Sequence, residues 1–333
     1  MASAHFVSTS CLKTALNEAE AYIYASVDIV TATLGFFGSL YLILTWKAYY
    51  RIRLCDVSSS NKQFAVATNR TIVFFLAVST LFACMGVLAK SIQLAMTYSA
   101  DIRANLPVDE VEPRLSIPDI PISILGSFSY IATFMWTFCY ALDIHFQLRG
   151  KRVSPRSYHV LCWGFAGILT LLQAVINHIP PFHYCKLPAE RADAKYLAFY
   201  AILALIMIAV PVIFLLSLPK IRRLLIAQGR LTENERRVFR AIAWKFFFIV
   251  LIFIYGWIFN VINGIYFVAM KTTESPFIFY VLEACTNPMQ GFFNAFVFGK
   301  HEVAQKWFCN SCASEDDDDD EENQRLARDY VVE

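Results

Sequence analysis

The chain has 333 residues, of which 57% are hydrophobic, 15% aromatic and only 17% charged, with a mean hydropathy of +0.47. Soluble chains carry about 25% charged residues, so this composition excludes an ordinary soluble domain and describes a polytopic membrane protein. The formal charge of +2 says little, because cations collect in loops mid-chain and acids in a run at the end.

Residues 1–20 form a polar amino-terminal tail, with no cleavable signal peptide visible before the first apolar run, so the first span is expected to act as its own insertion signal. Seven runs are long enough to span a bilayer core of about 30 Å: Ala21–Trp46, Thr71–Met96, Pro121–Leu148, Tyr158–Ile179, Tyr196–Leu218, Phe246–Met270 and Phe277–Phe298. The fold class is therefore all-α, a seven-transmembrane helix bundle over residues 21–299. Cations follow the first span (Lys47, Arg51, Arg53, Lys62), the third (Arg149, Lys151, Arg152, Arg156) and the fifth (Lys220, Arg222, Arg223, Arg230). The alternate loops mix fewer cations with acids, which makes the amino terminus extracellular or lumenal and the carboxyl terminus cytoplasmic.

Three ionisable residues fall at membrane depth: Asp28 in the first span, Lys90 near the outer end of the second and Glu283 in the seventh. Such groups are costly in lipid and mark functional sites. The two carboxylates are too short to reach the headgroups and are expected to face the bundle, whereas Lys90 can also snorkel outward. Asn260 and Asn263, one turn apart on the sixth span, complete a candidate polar cleft opening outward. A zwitterionic or catechol-like ligand suits it, with Lys90 opposite a carboxylate, Glu283 or Asp28 opposite an ammonium, and Trp257 and Tyr266 stacking on a ring. Plain interhelical hydrogen bonding is the competing reading for both asparagines.

The third span ends Asp143-Ile-His145 at its cytoplasmic mouth, a candidate switch element and coupling surface for a soluble partner or else a simple helix terminus, and the fifth is followed by Leu224-Leu225. Thr232 with Glu235 is a capping-box signal, and no proline interrupts the residues from there to Met270, so one long helix is expected. Its charged start, with Arg236, Arg237 and Arg240, is either a lever to a soluble partner or a basic anchor. Late in the seventh span, Asn287-Pro288 places a proline kink beside an amide, a candidate switch between two packings.

Residues 300–313 are expected to form a short amphipathic juxtamembrane helix, with Cys309 and Cys312 as lipidation candidates. Residues 314–333 are acidic and expected to be a disordered cytoplasmic tail. Of the nine cysteines, Cys84, Cys139, Cys162 and Cys285 lie in apolar runs as small hydrophobes. Cys185 in the second outer loop pairs with Cys11 only if the amino-terminal tail folds back over the bundle. Enzyme readings fare poorly. Of six histidines, His145 and His178 approach spans at opposite ends and His159 lies at the start of the fourth span, which is not a set of metal ligands at one depth, so no metal centre is expected. No catalytic set, cofactor motif or nucleic-acid partner is indicated, and the seventh span has no lysine for a covalently held retinal.

Thr232-Glu-Asn-Glu-Arg-Arg, Lys245-Phe-Phe and Trp257-Ile-Phe-Asn-Val-Ile-Asn263 resemble the ocular albinism type 1 receptor family. Phe138-Cys-Tyr-Ala-Leu-Asp143, Asn287-Pro-Met-Gln-Gly-Phe292 and Cys84-Met-Gly-Val-Leu-Ala-Lys90 are similar to its third, seventh and second helices. The resemblance implies a receptor for L-DOPA or a related tyrosine metabolite, coupling to heterotrimeric G proteins of the inhibitory class, with arrestin as a further partner. It places such a receptor in the membranes of melanosomes and lysosomes, alongside the plasma membrane, with Leu224-Leu225 standing at the family's dileucine sorting signal. Departures are Asp119, where other receptors carry a disulfide cysteine, and Thr80, in place of an acid on the second helix. The rival class is a small transporter or channel conducting past Asp28, Lys90 and Glu283, which an odd number of spans without an internal repeat disfavours.

Overall fold

The computed structural model describes residues 16–52, 60–104, 119–151, 153–178, 189–226, 233–270 and 276–299. Each segment is helical: α1 (Glu18–Ile52), α2 (Ser60–Ala104), α3 (Asp119–Leu148), α4 (Pro155–His178), α5 (Ala189–Ile226), α6 (Glu233–Met270) and α7 (Phe277–Thr286). After a turn at 287–289 the seventh span resumes as α8, residues 290–299. The expected all-helical bundle is present. Among the described residues, five helical stretches are long and apolar enough to cross a membrane by length and composition alone: Glu18–Thr45, Thr71–Thr97, Pro121–Leu148, Ala201–Arg222 and Ala243–Tyr266. They coincide with the first, second, third, fifth and sixth expected spans. α4 covers most of the fourth, and the seventh is shared between α7 and α8. Cys11, Cys185, Cys309, Cys312, the juxtamembrane segment and the acidic tail lie outside the described residues.

Local chemistry explains where several helices begin and end. α1 opens on a reciprocal capping box, in which the Glu20 amide donates to Asn17 Oδ1 at 2.9 Å and the Asn17 amide to Glu20 Oε2 at 3.0 Å. α3 closes on Gly150 at φ 72°. There the Lys151 amide reaches Phe146 O at 2.9 Å and the Gly150 amide reaches Gln147 O at 3.0 Å, a pairing that only a left-handed residue permits. Pro155 starts α4, where its missing N–H costs nothing. The long helix expected over the sixth span is continuous for 38 residues, about 57 Å at 1.5 Å per residue.

The helices close into a ring, α1 against α2 and α7, α7 against α6, and α6 against α5, with α3 packed on α2, α4, α5 and α6 at the centre. Of those five stretches, the one in α3 is the most enclosed and the one in α5 the least. On α5, Leu205, Ile208, Val212 and Leu215 form an exposed apolar stripe while Leu203, Ile206 and Val210 turn inward. A helix apolar on both sides is what a bilayer solvent requires. Phe75, Trp136, His159 and Trp163 cluster across α2, α3 and α4, with Phe75 stacked on Trp136 and the remaining contacts edge-on. Lipid provides no hydrophobic drive between helices, so close packing and polar contacts must hold the bundle. Two further features place the site: the proximal end, where α1 begins, and the distal end, where α6 begins.

Candidate functional site

The ionisable residues expected at membrane depth all turn into the bundle. Asp28 and Glu283 are 1% and 0% exposed, and Lys90, at 6%, does not snorkel. Ser91, the neighbour of Lys90 on α2, donates to Asp28 Oδ2 at 3.0 Å. Lys90 and Glu283 both lie close enough to act electrostatically on Asp28, which brings the proximal halves of α1, α2 and α7 into one polar cluster. Tyr24, Tyr130 and Tyr280 are buried around it.

From this cluster a polar ladder descends between α6 and the seventh span. Asn263 Nδ2 donates to Glu283 Oε1 at 2.9 Å. One turn on, Asn260 Nδ2 donates to Asn287 Oδ1 at 2.7 Å. The next contact is Trp257 Nε1 to Gln290 Oε1 at 3.2 Å. On α6 the rungs fall at residues 263, 260 and 257, and on the facing span at 283, 287 and 290, so one helical stripe faces another. Asn260 and Asn263 thus take the interhelical role, while retaining unused carbonyl oxygens: both Oδ1 atoms are buried without a partner, as is Asn287 Nδ2. A buried amide with half its capacity unfilled is poised for a polar ligand group or an internal water.

Trp257 and Tyr266, expected to stack on a ligand ring, are already engaged. Trp257 is fully buried, edge-on to Tyr130 at 5.4 Å and to Phe134 at 5.7 Å, and Tyr266 lies against Phe279 at 5.6 Å. The kink follows directly below the second rung. Pro288 has no amide hydrogen, so the helix cannot form the bond from residue 288 to the Ala284 carbonyl. The Thr31 hydroxyl of α1 lies 2.7 Å from that carbonyl.

At the distal end the expected coupling residues are tied down. Asp143 Oδ1 accepts from the Tyr158 hydroxyl of α4 at 3.1 Å, and Oδ2 from Gln147 Nε2 at 2.6 Å. His145 Nδ1 meets Ser217 Oγ of α5 at 2.9 Å. Both α3 residues are buried. Between the two ends, Tyr140 of α3 packs edge-on to Phe246 of α6 and Phe298 of α8, and Lys245 Nζ lies 5.7 Å from the centre of the Phe298 ring. Arg236, Arg237 and Arg240 occupy the first two turns of α6, and Leu224 and Leu225 the last turn of α5. Cys139 and Cys162 meet sulfur to sulfur at 3.2 Å between α3 and α4, as buried free thiols.

A profile described as ocular albinism type 1 protein matches residues 18–303, the whole of the bundle and the segment just beyond it. The chain belongs to the ocular albinism type 1 protein family. Human (Homo sapiens) G-protein coupled receptor 143 is 28% identical to it over 239 residues, 67% of this chain and 58% of that protein. The cyclic AMP receptor-like protein B of Dictyostelium discoideum is 22% identical over 234 residues, covering 68% of this chain and 49% of the relative. The chain thus spans 58% and 49% of the length of these relatives. For the family, sequence reasoning located the buried charges, both asparagines and the kink. It missed Thr31, Ser91, Tyr158 and Ser217, because a lone hydroxyl within an apolar run carries no spacing signal until its partner helix is known.

Proposed function

We propose that this member of the family is a G-protein-coupled receptor for L-DOPA or a related tyrosine metabolite, coupled to an inhibitory-class heterotrimeric G protein. The single observation that carries the reading is the polar ladder joining the Asp28, Lys90 and Glu283 cluster to the Asn287–Pro288 kink. In this reading the ligand's carboxylate takes Lys90 and its ammonium takes Glu283 or Asp28. An ammonium at Glu283 competes with the Asn263 amide for the same carboxylate, so ligand binding loosens the top rung and frees α6 to move against the seventh span. The distal end of α6, with Arg236, Arg237 and Arg240, then swings outward, and the release of Asp143 and His145 from α4 and α5 opens a docking surface for the G protein. Arrestin would use the same face. The site's orientation, ligand side extracellular or lumenal and coupling side cytoplasmic, follows the distribution of loop cations. Control of melanosome or lysosome-related organelle biogenesis is the cellular role, with Leu224-Leu225 as the sorting signal and Cys309 and Cys312 as lipid anchors.

Nucleotide exchange on purified inhibitory-class G protein, with the receptor in nanodiscs, tests the reading. L-DOPA is expected to raise the exchange rate, and Glu283→Gln to abolish the rise while leaving basal exchange in place. No exchange with any G-protein class, together with ligand flux across vesicles, would move the assignment to a transporter.

A further inference from the structure

We propose that the face of α1 carrying Thr31, Gly35 and Gly38 is a positioning surface for the proline kink, holding the carbonyl that Pro288 frees and setting the balance between two packings of the seventh span. The contact is built twice over with the same spacing. Thr31, Gly35 and Gly38 lie at i, i+4 and i+7 on α1, and Ala284, Pro288 and Gly291 lie at i, i+4 and i+7 on the seventh span. Each meets its counterpart in order. The Thr31 hydroxyl is 2.7 Å from Ala284 O. A Cβ on Gly35 would overlap the Pro288 carbonyl oxygen, and one on Gly38 would lie 2.7 Å from Gly291 O and 2.6 Å from Phe292 Cα. A Cβ on Gly291 would in turn run into Gly35 O and come within 2.5 Å of Ser39 Oγ. Backbone therefore meets backbone on both sides, an approach that only glycine permits.

The hydroxyl at the top of this seam has three carbonyls within reach, one across the interface and two in its own helix, of which Asp28 O is the more distant at 3.2 Å. Thr31 Oγ1 lies 2.9 Å from Val27 O in its own helix as well as 2.7 Å from Ala284 O across the interface. It carries one proton, so it serves one carbonyl at a time. Bonded to Ala284, it satisfies the acceptor that the kink would otherwise leave bare in lipid. If the seventh span shifts, the hydroxyl falls back on Val27, as helical threonines commonly do, and no donor is stranded. The arrangement is bistable because the donor is satisfied in both positions while the carbonyl is satisfied in one. Below it the chain is held loosely: the Gln290 amide reaches Asn287 O at only 3.4 Å, and regular helical bonding resumes with the Phe293 amide on Met289 O at 3.1 Å. Cys84 Sγ, 3.7 Å from Pro288 O, also addresses the kink. Thr31 thus acts through Ala284 and not on any ligand, and its part in signalling rests on the receptor reading.

Thr31→Val removes the hydroxyl at constant shape, and Thr31→Ser restores it. In nanodiscs, hydrogen exchange of the amides in residues 284–293 is expected to rise roughly threefold or more in Thr31→Val and to return to the wild-type rate in Thr31→Ser, with little change in the unfolding temperature of either. Basal nucleotide exchange on the G protein is expected to rise in Thr31→Val relative to the ligand-stimulated rate, and again to recover in Thr31→Ser. Amide exchange identical in wild type and Thr31→Val would overturn the proposal. Faster amide exchange beside an absence of G-protein activity in the wild type would uphold the positioning role and sink the receptor reading instead.

Discussion

Glu283 is a carboxylate at zero exposure, and Asn263 Nδ2 is the side-chain donor on its Oε1. Desolvating such a group is tolerable only while hydrogen bonds replace its water. Two magnitudes compete for the effect of removing Asn263. Interhelical polar contacts in membranes average about 0.6 kcal/mol, because the unfolded helix in lipid finds other partners. Taking a donor away from a buried acceptor costs about 1–3 kcal/mol. The second governs here, since the acceptor remains when the donor is deleted. Asn263→Ala is accordingly expected to lower stability by about 1–3 kcal/mol, measured by thermal unfolding in detergent, whereas a double variant that also replaces Glu283 by Gln should recover part of the loss. An unchanged unfolding temperature in Asn263→Ala would show that water replaces the amide, and with it that the top of the ladder is wet.

The seventh span is the element on which both ends depend. It divides into α7 and α8 at residues 287–289, because Pro288 removes one amide and its ring excludes the carbonyl of the preceding turn. Pro288→Ala returns an N–H that can bond Ala284 O within the helix, so the Thr31 contact becomes redundant and the span straightens. A proline inside a helix costs about 3 kcal/mol in intrinsic propensity, so this variant is expected to be at least as stable as the wild type. Its ligand-stimulated nucleotide exchange should nonetheless fall at least about tenfold, the equivalent of about 1.4 kcal/mol of lost bias between packings. A Pro288→Ala protein that signals normally would show that the kink is packing alone. α6 is the contrasting element: with no proline over its 38 residues, it can carry motion from Asn263 to Arg236 as a rigid rod.

At the scale of the molecule, the ring of helices about α3 links a proximal polar cluster to distal ties at Asp143 and His145. Two sites biasing one bundle must be coupled reciprocally. If ligand raises the affinity for G protein by some factor, G protein must raise the affinity for ligand by the same factor. Radioligand binding with and without G protein, set beside G-protein binding with and without ligand, should return equal ratios. Scrambling residues 232–240 should reduce both ratios to one without altering ligand affinity in the absence of G protein. Unequal ratios would mean that the two ends do not share a single two-state bundle.

The sequence by itself determined the class of fold and most of the site's membership. Runs of apolar residues of bilayer length have one stable outcome, a helix, because lipid offers no other partner for backbone amides. The same cost makes Asp28, Lys90, Glu283, Asn260 and Asn263 conspicuous against their surroundings. Pairing was the part it could not determine. Which amide meets which carboxylate, that His145 is spent on Ser217, and that Thr31 serves a carbonyl in a span 253 residues away depend on how the helices rotate and stack. Those choices turn on glycine seams and single hydroxyls whose consequences exist only once two helices lie side by side, and so the tertiary structure alone decided them.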